Sequence, residues 1–419
     1  MQHPPKTRSS VAVVGLGYVG LPLAEAFAQH LPVVGIDINS DRIAELRRVC
    51  STIDLSFSDD FKDIADKDFV IIAVPTPVTK SKEPDLGPIR AAANSVAMHL
   101  TKGTIVILES TVFPGVTNDV VVPILERGST LVCGSDFGIA YCPERINPGD
   151  LDHTIERTTK VVSGNDKDTA NRVKWLYGLI AGSVYRAPDI ATAEASKVIE
   201  NVQRDLNIAL VNELAIIFAR MGLDTEQVLN AAATKWNFHL YHPGMVGGHC
   251  IPVDPYYLIY RARELGYHAQ VIAAGRAIND SMPKYVAEMT VKALNKAGKV
   301  IRDSRALVLG LSYKESIADT RESPSFQLID ELLDYGVDIY AHDPCVPKAE
   351  APAGVTVVSS LDRLRDMDAI VVAVGHEEYR SLSVTDLHRL SQNSAVLVDI
   401  RRLYDRAAAE SEGFLYRTL

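Results

Sequence analysis

The chain has 419 residues, 47% hydrophobic and 23% charged, a balance typical of folded globular proteins that excludes a disordered, collagen-like or coiled-coil chain. The formal net charge of −10 disfavours a nucleic-acid-binding protein, and no apolar run reaches the roughly 18 residues of a membrane span. Five cysteines without a CxxC pair argue against a disulfide framework or a zinc site, so we expect a cytoplasmic protein that holds no metal.

The first elements in the chain predict a strand, a turn, a helix and a second strand. Apolar runs at 11–14 and 33–36 predict the strands, and GxGxxG at 15–20 lies between the first of them and a helical pattern. A secretory signal peptide would also fit the uncharged run 9–24 after two basic residues. Three glycines within that run suit a turn better than a signal peptide.

The fingerprint glycines and the following acid predict an NAD site. Gly15 allows the tight turn, Gly17 lets the backbone approach a pyrophosphate, and Gly20 lets the helix pack closely on the strand. The helix N-terminus supplies N–H groups to the phosphates. Asp37 lies 22 residues after Gly15, where a carboxylate can bind both ribose hydroxyls and repel a 2′-phosphate. NAD is therefore favoured over NADP.

Strands and helices continue to alternate in the next part of the chain. Apolar runs predict strands at 69–74, 104–108 and 161–163, with helices at 89–100 and 167–179. This alternation is typical of a doubly wound parallel sheet, in which ligands bind outside the carboxyl ends of the strands.

Two threonines follow strands at that ligand-binding edge. Thr76 lies in the loop after the strand at 69–74, and Thr111 lies in the loop after the strand at 104–108. Both are candidate site residues. An ordinary polar turn explains either one alone equally well.

A single long helix is predicted over 191–222, which would measure roughly 48 Å at 1.5 Å per residue. Apolar residues recur along it every three or four positions: Ile199, Val202, Leu206, Leu210, Leu214, Ile217 and Met221. A helix of that length crosses between domains or builds a dimer interface.

The last third of the chain repeats the first. The runs at 306–311, 369–374 and 396–400 correspond to the early strands, but the glycine fingerprint is incomplete after the first of them. We therefore predict two Rossmann-like α/β domains with doubly wound parallel sheets, joined by a long central helix and a helical segment. The expected boundaries are 1–190 for the NAD-binding domain, 191–300 for the central dimerisation and catalytic segment, and 301–419 for the second Rossmann-like domain.

The segment around Cys250 carries the strongest chemical signal. Gly247 and Gly248 precede the cysteine and would let another group approach it, and Asp254 follows within one turn. A thiolate with a lowered pKa is a strong nucleophile. A buried structural cysteine is the ordinary alternative. The neighbouring glycines and acid make that alternative less fitting here.

One face of the long helix carries four polar residues. Glu194, Lys197, Asn201 and Asp205 are spaced by three, four and four positions. A solvated face with helix salt bridges is the commoner explanation of such spacing. Lys197 and Asn201 could instead both donate hydrogen bonds to one developing oxyanion.

Taken together, these motifs resemble the UDP-glucose/GDP-mannose 6-dehydrogenase family over essentially the whole chain. The matching segments, in the family's order, are GxGYVG at 15–20, Pro-Thr-Pro at 75–77, Ser-Thr-Val at 110–112, Pro-Glu-Arg at 143–145, Glu194 with Lys197 and Asn201, the segment 247–254, and Lys314 with 319–324. His249 and the segment 254–257 are similar to the branch that acts on UDP-N-acetylhexosamines for bacterial surface polysaccharides. The segments 235–238 and 242–244 resemble the UDP-N-acetylgalactosamine and UDP-N-acetylglucosamine dehydrogenases.

The resemblance implies a four-electron oxidation. Two NAD molecules would take two hydrides while the C6 alcohol of a UDP-N-acetylhexosamine becomes a carboxylate, by way of a thiohemiacetal and a thioester on Cys250. Lys197 and Asn201 would stabilise the oxyanions, Asp254 and Thr111 would orient water and Lys197, and Glu144 would act on water in the hydrolysis.

The resemblance also implies how the ligands are held. The residues expected to hold the cofactor are Gly15, Gly17, Tyr18, Val19, Gly20, Asp37, Arg42, Thr76 and Arg321. Those expected to hold the UDP-sugar are Gly247, Gly248, Lys314 and Arg401. A homodimer or higher homo-oligomer built on the long helix, and a role in supplying surface polysaccharide precursors such as O-antigen or capsule, are further expectations.

Several alternatives stay open. UDP-N-acetylmannosamine or UDP-glucose could be the substrate of the same chemistry. A two-electron hydroxyacid dehydrogenase would also use an N-terminal Rossmann domain but would need no cysteine. A dinucleotide-sensing module would need none of the aligned polar residues.

Overall fold

The computed structural model describes residues 9–50, 54–145, 154–346 and 352–419. By their internal contacts, these residues form two compact units. The first unit contains 1–200 and 256–268, and the second contains 201–255 and 269–419. The three-segment division expected from the sequence stays a prediction beside this grouping.

The first unit is built on a six-stranded parallel sheet in the order β3-β2-β1-β4-β5-β6. Its strands are β1 (Val11–Val14), β2 (Val33–Ile36), β3 (Leu55–Ser58), β4 (Phe69–Ile72), β5 (Ile105–Leu108) and β6 (Gly138–Tyr141). This order is that of dinucleotide-binding doubly wound sheets, and it reverses direction between β1 and β4. The loops after β1, β2, β4 and β5 therefore share the edge where a ligand is expected.

Helices follow the strands, and those predicted after the glycine turn, at 89–100 and at 167–179 are present. They are α1 (Gly20–Ala28), α2 (Ser40–Val49), α3 (Gly87–Ala97), α4 (Val122–Ser129) and α5 (Lys167–Tyr177), with a 3₁₀ turn at Phe61–Ile64 and a π-helical turn at Thr117–Val121. An apolar core packs β1, β2, β4 and β5 against α1, α2 and α5.

One predicted strand joins a different sheet. The run expected at 161–163 lies in β7 (Thr159–Val162), which pairs in parallel with β8 (Ser183–Arg186) in a separate two-stranded sheet. The residues after β7 then run antiparallel beside β6, because the N–H groups of Ser163 and Asn165 donate to the carbonyls of Tyr141 and Ile139.

The long predicted helix is present as α6 (Ile190–Met221), which has 32 residues. The division between the two units falls within it, after Glu200. The further helices are α7 (Thr225–Ala233), α8 (Asp254–Glu264), α9 (Gln270–Lys296), α10 (Pro324–Asp334), α11 (Glu377–Arg380), α12 (Val384–Leu390) and α13 (Arg406–Ser411).

The second unit repeats the first sheet. Its six parallel strands have the order β11-β10-β9-β12-β13-β14. They are β9 (Arg305–Leu309), β10 (Asp338–His342), β11 (Thr356–Val357), β12 (Met367–Val372), β13 (Ser391–Asp399) and β14 (Leu415–Arg417). Side chains alternate along β9, so that Ala306 and Val308 join one apolar core with α9 and α10, while Leu307 and Leu309 join a second core on the other face.

The predicted fold class, two Rossmann-like domains with doubly wound parallel sheets, is confirmed. Among the described residues, no helix combines the length and the hydrophobicity that crossing a bilayer would require.

Candidate active site

The three fingerprint glycines have distinct structural roles in the turn between β1 and α1. Gly15 has a φ of +93°, and a Cβ atom there would lie 2.7 Å from the carbonyl oxygen of Ala73. A Cβ on Gly20 would lie 1.8 Å from the carbonyl oxygen of Gly15. A Cβ on Gly17 would meet no atom within 4 Å. Two glycines are thus required by packing, and the third leaves its backbone open to a ligand.

The N-terminus of α1 fits the phosphates of a dinucleotide. Val19 is the N-cap residue and no side chain caps the helix, nor is there an acidic residue in the first turn. Tyr18 beside it is about half exposed. N–H groups at a helix N-terminus without a side-chain cap attract phosphate oxygens, so these residues fit the pyrophosphate of NAD.

Asp37 stands directly after β2, and its carboxylate is fixed by two backbone N–H groups. Leu16 donates to Oδ2 at 2.8 Å and Asn39 donates to Oδ1 at 2.9 Å. The Asn39 side chain in turn caps α2 by accepting the N–H of Arg42. The Arg42 guanidinium contacts Glu45 at 2.8 Å. The acid expected at the adenosine ribose is therefore held next to the glycine turn, and Arg42 lies in the first turn of the helix that follows it.

The loops that carry Thr76 and Thr111 are tied together. The hydroxyl of Ser110 donates to the carbonyl of Val74 at 2.7 Å, which joins the loop after β5 to the loop after β4. The hydroxyl of Tyr257 donates to the carbonyl of Thr76. Thr76 and Thr111 are both half-buried. The sequence reasoning used Tyr257 only as a family mark and missed this hydrogen bond.

Glu144 lies after β6 with both carboxylate oxygens engaged. The backbone N–H of Arg145 donates to Oε1 at 2.6 Å, and the ammonium of Lys160 lies 3.5 Å from Oε2. Lys160 also forms a buried ion pair with Glu109. Neither Lys160 nor Glu109 was singled out from the sequence. The signal available there was a charged residue inside a short strand, β7, and an acid directly after β5.

The polar face of α6 is not a solvated face. Glu194 and Asp205 are fully buried, and Lys197 is 8% exposed. The Glu194 carboxylate accepts hydrogen bonds from the N–H groups of Gly115 and Thr117. Asp205 forms an ion pair with Arg276. The solvated alternative is therefore wrong for these positions.

In the second unit, the glycines before the cysteine pack against protein. A Cβ on Gly247 would lie 2.5 Å from Cδ of Pro324, and a Cβ on Gly248 would lie 2.8 Å from the ring of Tyr313. Gly248 also has a φ of +90°. The close approach expected from these glycines is made by Tyr313 and Pro324, and a direct contact with substrate stays a prediction.

Cys250, Asn201 and Asp254 form a connected set. Cys250 is half-buried, and its carbonyl accepts the N–H of Asp254 at 2.9 Å. Asp254 begins α8 and is 2% exposed. Its Oδ2 accepts a hydrogen bond from the side-chain amide of Asn201 at 2.5 Å. A hydrogen-bonded carboxylate and amide are therefore tied to the chain segment that carries the candidate nucleophile.

His249 lies in a partly charged setting next to Cys250. Its Nε2 is 3.5 Å from Oδ2 of Asp319, and its ring meets that of Tyr313 edge-on. Burial and the nearby Arg321 lower the pKa of His249. The imidazole therefore favours its neutral form.

The cations expected to bind ligand in the second unit lie on loops after β9 and β13. Arg321 makes a two-pronged contact with Asp319, at 3.0 Å and 2.7 Å. Arg401 is 3.5 Å from Glu315, and Lys314 is half-buried in the same loop as Glu315. These side chains fit an anionic ligand at the carboxyl ends of the second sheet.

An acid missed in the sequence repeats Asp37 in the second unit. Asp343 follows β10 as Asp37 follows β2, and its Oδ2 accepts the N–H groups of Leu311 and Ser312 at 2.7 Å and 2.8 Å. His376 also contacts Oδ2 at 3.1 Å. Unlike Asp37, this carboxylate is buried. The signal that could have found it was an Asp at the end of the second strand of the repeat.

Asp343, His376 and Cys345 also lie close enough together to hold a metal ion. The backbone N–H of Ser316 donates to Nδ1 of His376, whose Nε2 faces Asp343. Four backbone N–H groups occupy the carboxylate. This saturated arrangement is that of a hydrogen-bond network, so we assign no metal to it.

Models of known protein domains match most of the chain. Three models of the UDP-glucose/GDP-mannose dehydrogenase family match the chain: the NAD binding domain over residues 9–181, the central domain over 191–281 and the UDP binding domain over 307–406.

Similar proteins are known along nearly the whole chain. UDP-N-acetyl-D-glucosamine 6-dehydrogenase of Pseudomonas aeruginosa is 45% identical over 410 residues, covering 94% of this chain and 97% of the relative. The enzyme of the same name from Salmonella typhi is 43% identical, covering 93% and 95%. The structure of a UDP-D-ManNAc dehydrogenase from Pyrococcus horikoshii is 30% identical and covers 98% of both chains with a TM-score of 0.89.

Proposed function

The chain belongs to the UDP-glucose/GDP-mannose dehydrogenase family of NAD-dependent dehydrogenases, and we propose that it oxidises C6 of a UDP-N-acetylhexosamine to the uronic acid. The observation that supports the chemistry is the hydrogen bond from Asn201 to Asp254, whose backbone N–H donates to the carbonyl of the half-buried Cys250. A thiol whose chain segment is tied to an oriented amide and carboxylate suits covalent capture of an aldehyde.

The proposed reaction begins with oxidation of the alcohol to an aldehyde. The glycine turn, Asp37, Arg42, Thr76 and Arg321 would hold NAD, which when bound would supply the hydride acceptor for each of two oxidations. The Cys250 thiolate then adds to the aldehyde carbon, and the oxygen takes a proton to give a thiohemiacetal. Loss of a second hydride and a proton leaves a thioester. Lys197 and Asn201 stabilise the charged oxygen in these steps.

Hydrolysis completes the proposed sequence. Glu144 takes a proton from water as the water oxygen adds to the thioester carbon, and the carbon–sulfur bond breaks to release the Cys250 thiolate. Asp254 and Thr111 orient water and Lys197. The balance is one alcohol, one water and two NAD⁺ converted to one carboxylate, two NADH and three protons.

For the sugar, we favour UDP-N-acetylglucosamine, with UDP-N-acetylgalactosamine next. The support is the 45% and 43% identity to two enzymes named for the glucosamine substrate, against 30% to an enzyme named for the mannosamine substrate. UDP-N-acetylmannosamine and UDP-glucose are the alternatives. The product would serve as a surface polysaccharide precursor.

The first test is the NADH yield per sugar. The protein is mixed with excess NAD and limiting UDP-GlcNAc, UDP-GalNAc, UDP-ManNAc or UDP-glucose in turn. We expect two NADH per molecule of an N-acetylglucosamine or N-acetylgalactosamine substrate, and the relative rates choose between them. One NADH per sugar would remove the thioester from the mechanism.

A second variant pair tests the nucleophile. Cys250→Ser should keep NAD affinity and lose turnover. Cys133→Ser is the matched control, because burial raises the pKa of the Cys133 thiol to about 11 and keeps it protonated. A Cys250→Ser protein with the normal steady-state rate would contradict the covalent mechanism.

We also propose that the chain forms a homodimer through α6. Of the apolar residues predicted along this helix, Val202 is buried within the chain, whereas Leu210, Ile217 and Met221 stay exposed at spacings of seven and four. These three share one face, and covering it removes apolar surface from water.

Light scattering after size exclusion tests the dimer. Wild type should have twice the chain mass, and Leu210→Glu with Ile217→Glu should yield monomer. Ala219→Glu, roughly 200° around the helix from Ile217, is the matched control and should stay dimeric. A monomeric wild type would contradict the proposal.

From the cysteines we propose that the protein works in a reducing compartment. All five lie within the described residues, and none of them forms a disulfide. Free thiols persist where glutathione and thioredoxin keep them reduced, as in the cytoplasm. The measurement is cell fractionation with an activity assay.

A further inference from the structure

Behind Glu144 lies a buried polar cluster that the proposed mechanism does not use. Lys160 forms an ion pair with Oε1 of Glu109, and the hydroxyl of Tyr177 donates to Oε2 of the same carboxylate. The ammonium also lies 4.9 Å from the centroid of the Tyr177 ring. Glu109, Lys160 and Tyr177 are 1%, 3% and 0% exposed. The ammonium is therefore held in one place by a carboxylate and an aromatic ring.

The ammonium of Lys160 faces a second carboxylate, which is the more accessible one. It lies 3.5 Å from Oε2 of Glu144, whose side chain is 14% exposed, whereas that of Glu109 is fully buried. The N–H of Arg145 fixes the other oxygen of Glu144 at 2.6 Å. Glu144 is thus held from two sides and keeps access to its surroundings.

The protonation state of Lys160 is consistent with this arrangement. Burial alone would lower the pKa of Lys160, but the facing carboxylates of Glu109 and Glu144 raise it overall, so the side chain stays an ammonium. Burial raises the pKa of Glu109 to about 7, against the opposing effect of Lys160. Burial also raises the pKa of Tyr177 well above its ordinary value, so its hydroxyl keeps its proton and donates.

A purely structural ion pair is the simpler explanation of the cluster. An isolated buried pair is commonly replaceable by apolar residues of similar volume. Here one ammonium serves two carboxylates, and one of them is the group proposed to act on water. Glu109 also leads directly into the loop of Ser110 and Thr111, so the same cluster anchors two segments of the candidate site.

We propose that Lys160, clamped by Glu109 and Tyr177, is a positioning residue that holds the Glu144 carboxylate for thioester hydrolysis. This inference rests on the proposed function. In the step it supports, the water oxygen bonds to the thioester carbon, Glu144 accepts the water proton, and the sulfur leaves as the Cys250 thiolate. Both hydride transfers precede this step and do not need Lys160.

The test is Lys160→Met in transient kinetics with excess NAD and UDP-GlcNAc. We expect a burst of two NADH per subunit followed by a slow steady rate, because the thioester forms normally and then hydrolyses slowly. Steady turnover should fall by about tenfold or more, part of the roughly 10²- to 10⁴-fold that a general base contributes. Mass spectrometry of the quenched protein should show the acyl adduct on the Cys250 peptide.

The ratio kcat/KM for the sugar separates positioning from structural damage. This ratio covers steps only up to the first irreversible one, so slow hydrolysis should lower kcat and KM together and leave kcat/KM within about twofold. Lys160→Arg keeps the cation and should restore hydrolysis in large part. Lys174→Met, the same substitution at an exposed position of α5, should behave as wild type.

A Lys160→Met protein that shows neither the burst nor the adduct, or whose kcat and kcat/KM fall in parallel, would overturn the inference. If this variant does not fold, the double variant Glu109→Gln/Lys160→Met replaces it in the same assay. The Glu109→Gln substitution removes the buried carboxylate that would otherwise have lost its ammonium partner. NAD affinity then reports whether the first unit is folded. Failure of the proposed function itself would show differently, as a wild type yielding one NADH per sugar.

Discussion

The side-chain amide of Asn201 lies 2.5 Å from a carboxylate oxygen of Asp254. This hydrogen bond joins α6 to the first turn of α8, and the N–H of Asp254 donates to the carbonyl of Cys250. Asn is a poor helix former, so its position in the middle of a long helix lowers the stability of that helix. The hydrogen bond to Asp254 gives a reason for an asparagine at this position. The amide is oriented by a buried acid rather than free to rotate.

Asn201→Ala should lower kcat strongly. Removing one donor to a developing oxyanion costs roughly 10²- to 10³-fold in rate. The measurement is steady-state NADH formation with UDP-GlcNAc, together with NAD affinity. NAD affinity should stay within about twofold of wild type, since the glycine turn and Asp37 belong to the first unit. Asn207→Ala is the control, because its amide donates to a carbonyl of its own helix. Equal kcat values for the two variants would contradict the oxyanion role of Asn201.

Asp37→Ser should weaken NAD binding. The carboxylate is pre-set by the N–H groups of Leu16 and Asn39, and its hydrogen bonds to the ribose would be worth about 1.5–3 kcal/mol, roughly 10- to 100-fold in Kd. The preference for NAD over NADP should shrink because the negative charge facing a 2′-phosphate is lost. Calorimetric titration with both cofactors measures this. Asp41→Ser, an exposed acid in the same helix as Arg42, should leave both affinities unchanged.

Much of the first unit follows from local patterns in the sequence. The apolar runs at 11–14 and 33–36 are β1 and β2 with the predicted bounds, and the helix expected at 191–222 is α6 within one residue. These patterns work because strand and helix periodicity depends on neighbouring residues. The pairing of β7 with β8 in a separate sheet did not follow from these patterns, because the partner of a strand depends on distant parts of the chain.

The candidate site divides in the same way. Gly15, Gly20 and Asp37 could be placed because the turn and the acid lie within one βαβ unit. The buried cluster brings together Lys160 of β7, Glu109 directly after β5 and Tyr177 of α5. Glu109 is more than 50 residues from the other two in the sequence, and no spacing rule links them. Gly247 and Gly248 were predicted to let another group approach, and the groups that do so are Pro324 and Tyr313 from a later part of the chain, which no local pattern could identify. Their contact with substrate stays a prediction.

Glu194→Gln should destabilise the protein without involving the reaction directly. The carboxylate accepts the N–H of Gly115 at 2.6 Å and both the N–H and the hydroxyl of Thr117. A glutamine would turn an NH₂ group toward at least one of these donors, at a cost of about 1–3 kcal/mol. Urea unfolding measures the free energy of unfolding. Glu213→Gln, exposed on the same helix, is the control, and equal midpoints for the two variants would contradict this role.

Asp343→Asn should lower the free energy of unfolding by about 2–4 kcal/mol at pH 7. Two backbone N–H groups point at each oxygen of this carboxylate, and an asparagine can accept from only one side, so two buried donors lose their partner. Asp37 in the first unit gives the comparison. It accepts one N–H on each oxygen and can still accept hydrogen bonds from a ligand, whereas backbone N–H groups already occupy both oxygens of Asp343 twice.

The loss should depend on pH. Although burial would raise it, hydrogen bonds from His376 and from backbone N–H groups hold the pKa of Asp343 well below its ordinary value of 3.8. Wild type therefore keeps the full stabilisation above about pH 5 and loses it as the pH falls below 3.8, where the unfolded chain takes up a proton and the folded one does not. The variant has no such proton to bind, so the difference in unfolding free energy between the two should shrink at acid pH. Asp338→Asn, exposed at the start of β10, controls for charge. A difference that stays constant from pH 7 to pH 3 would show that the ionised carboxylate is not what stabilises this turn.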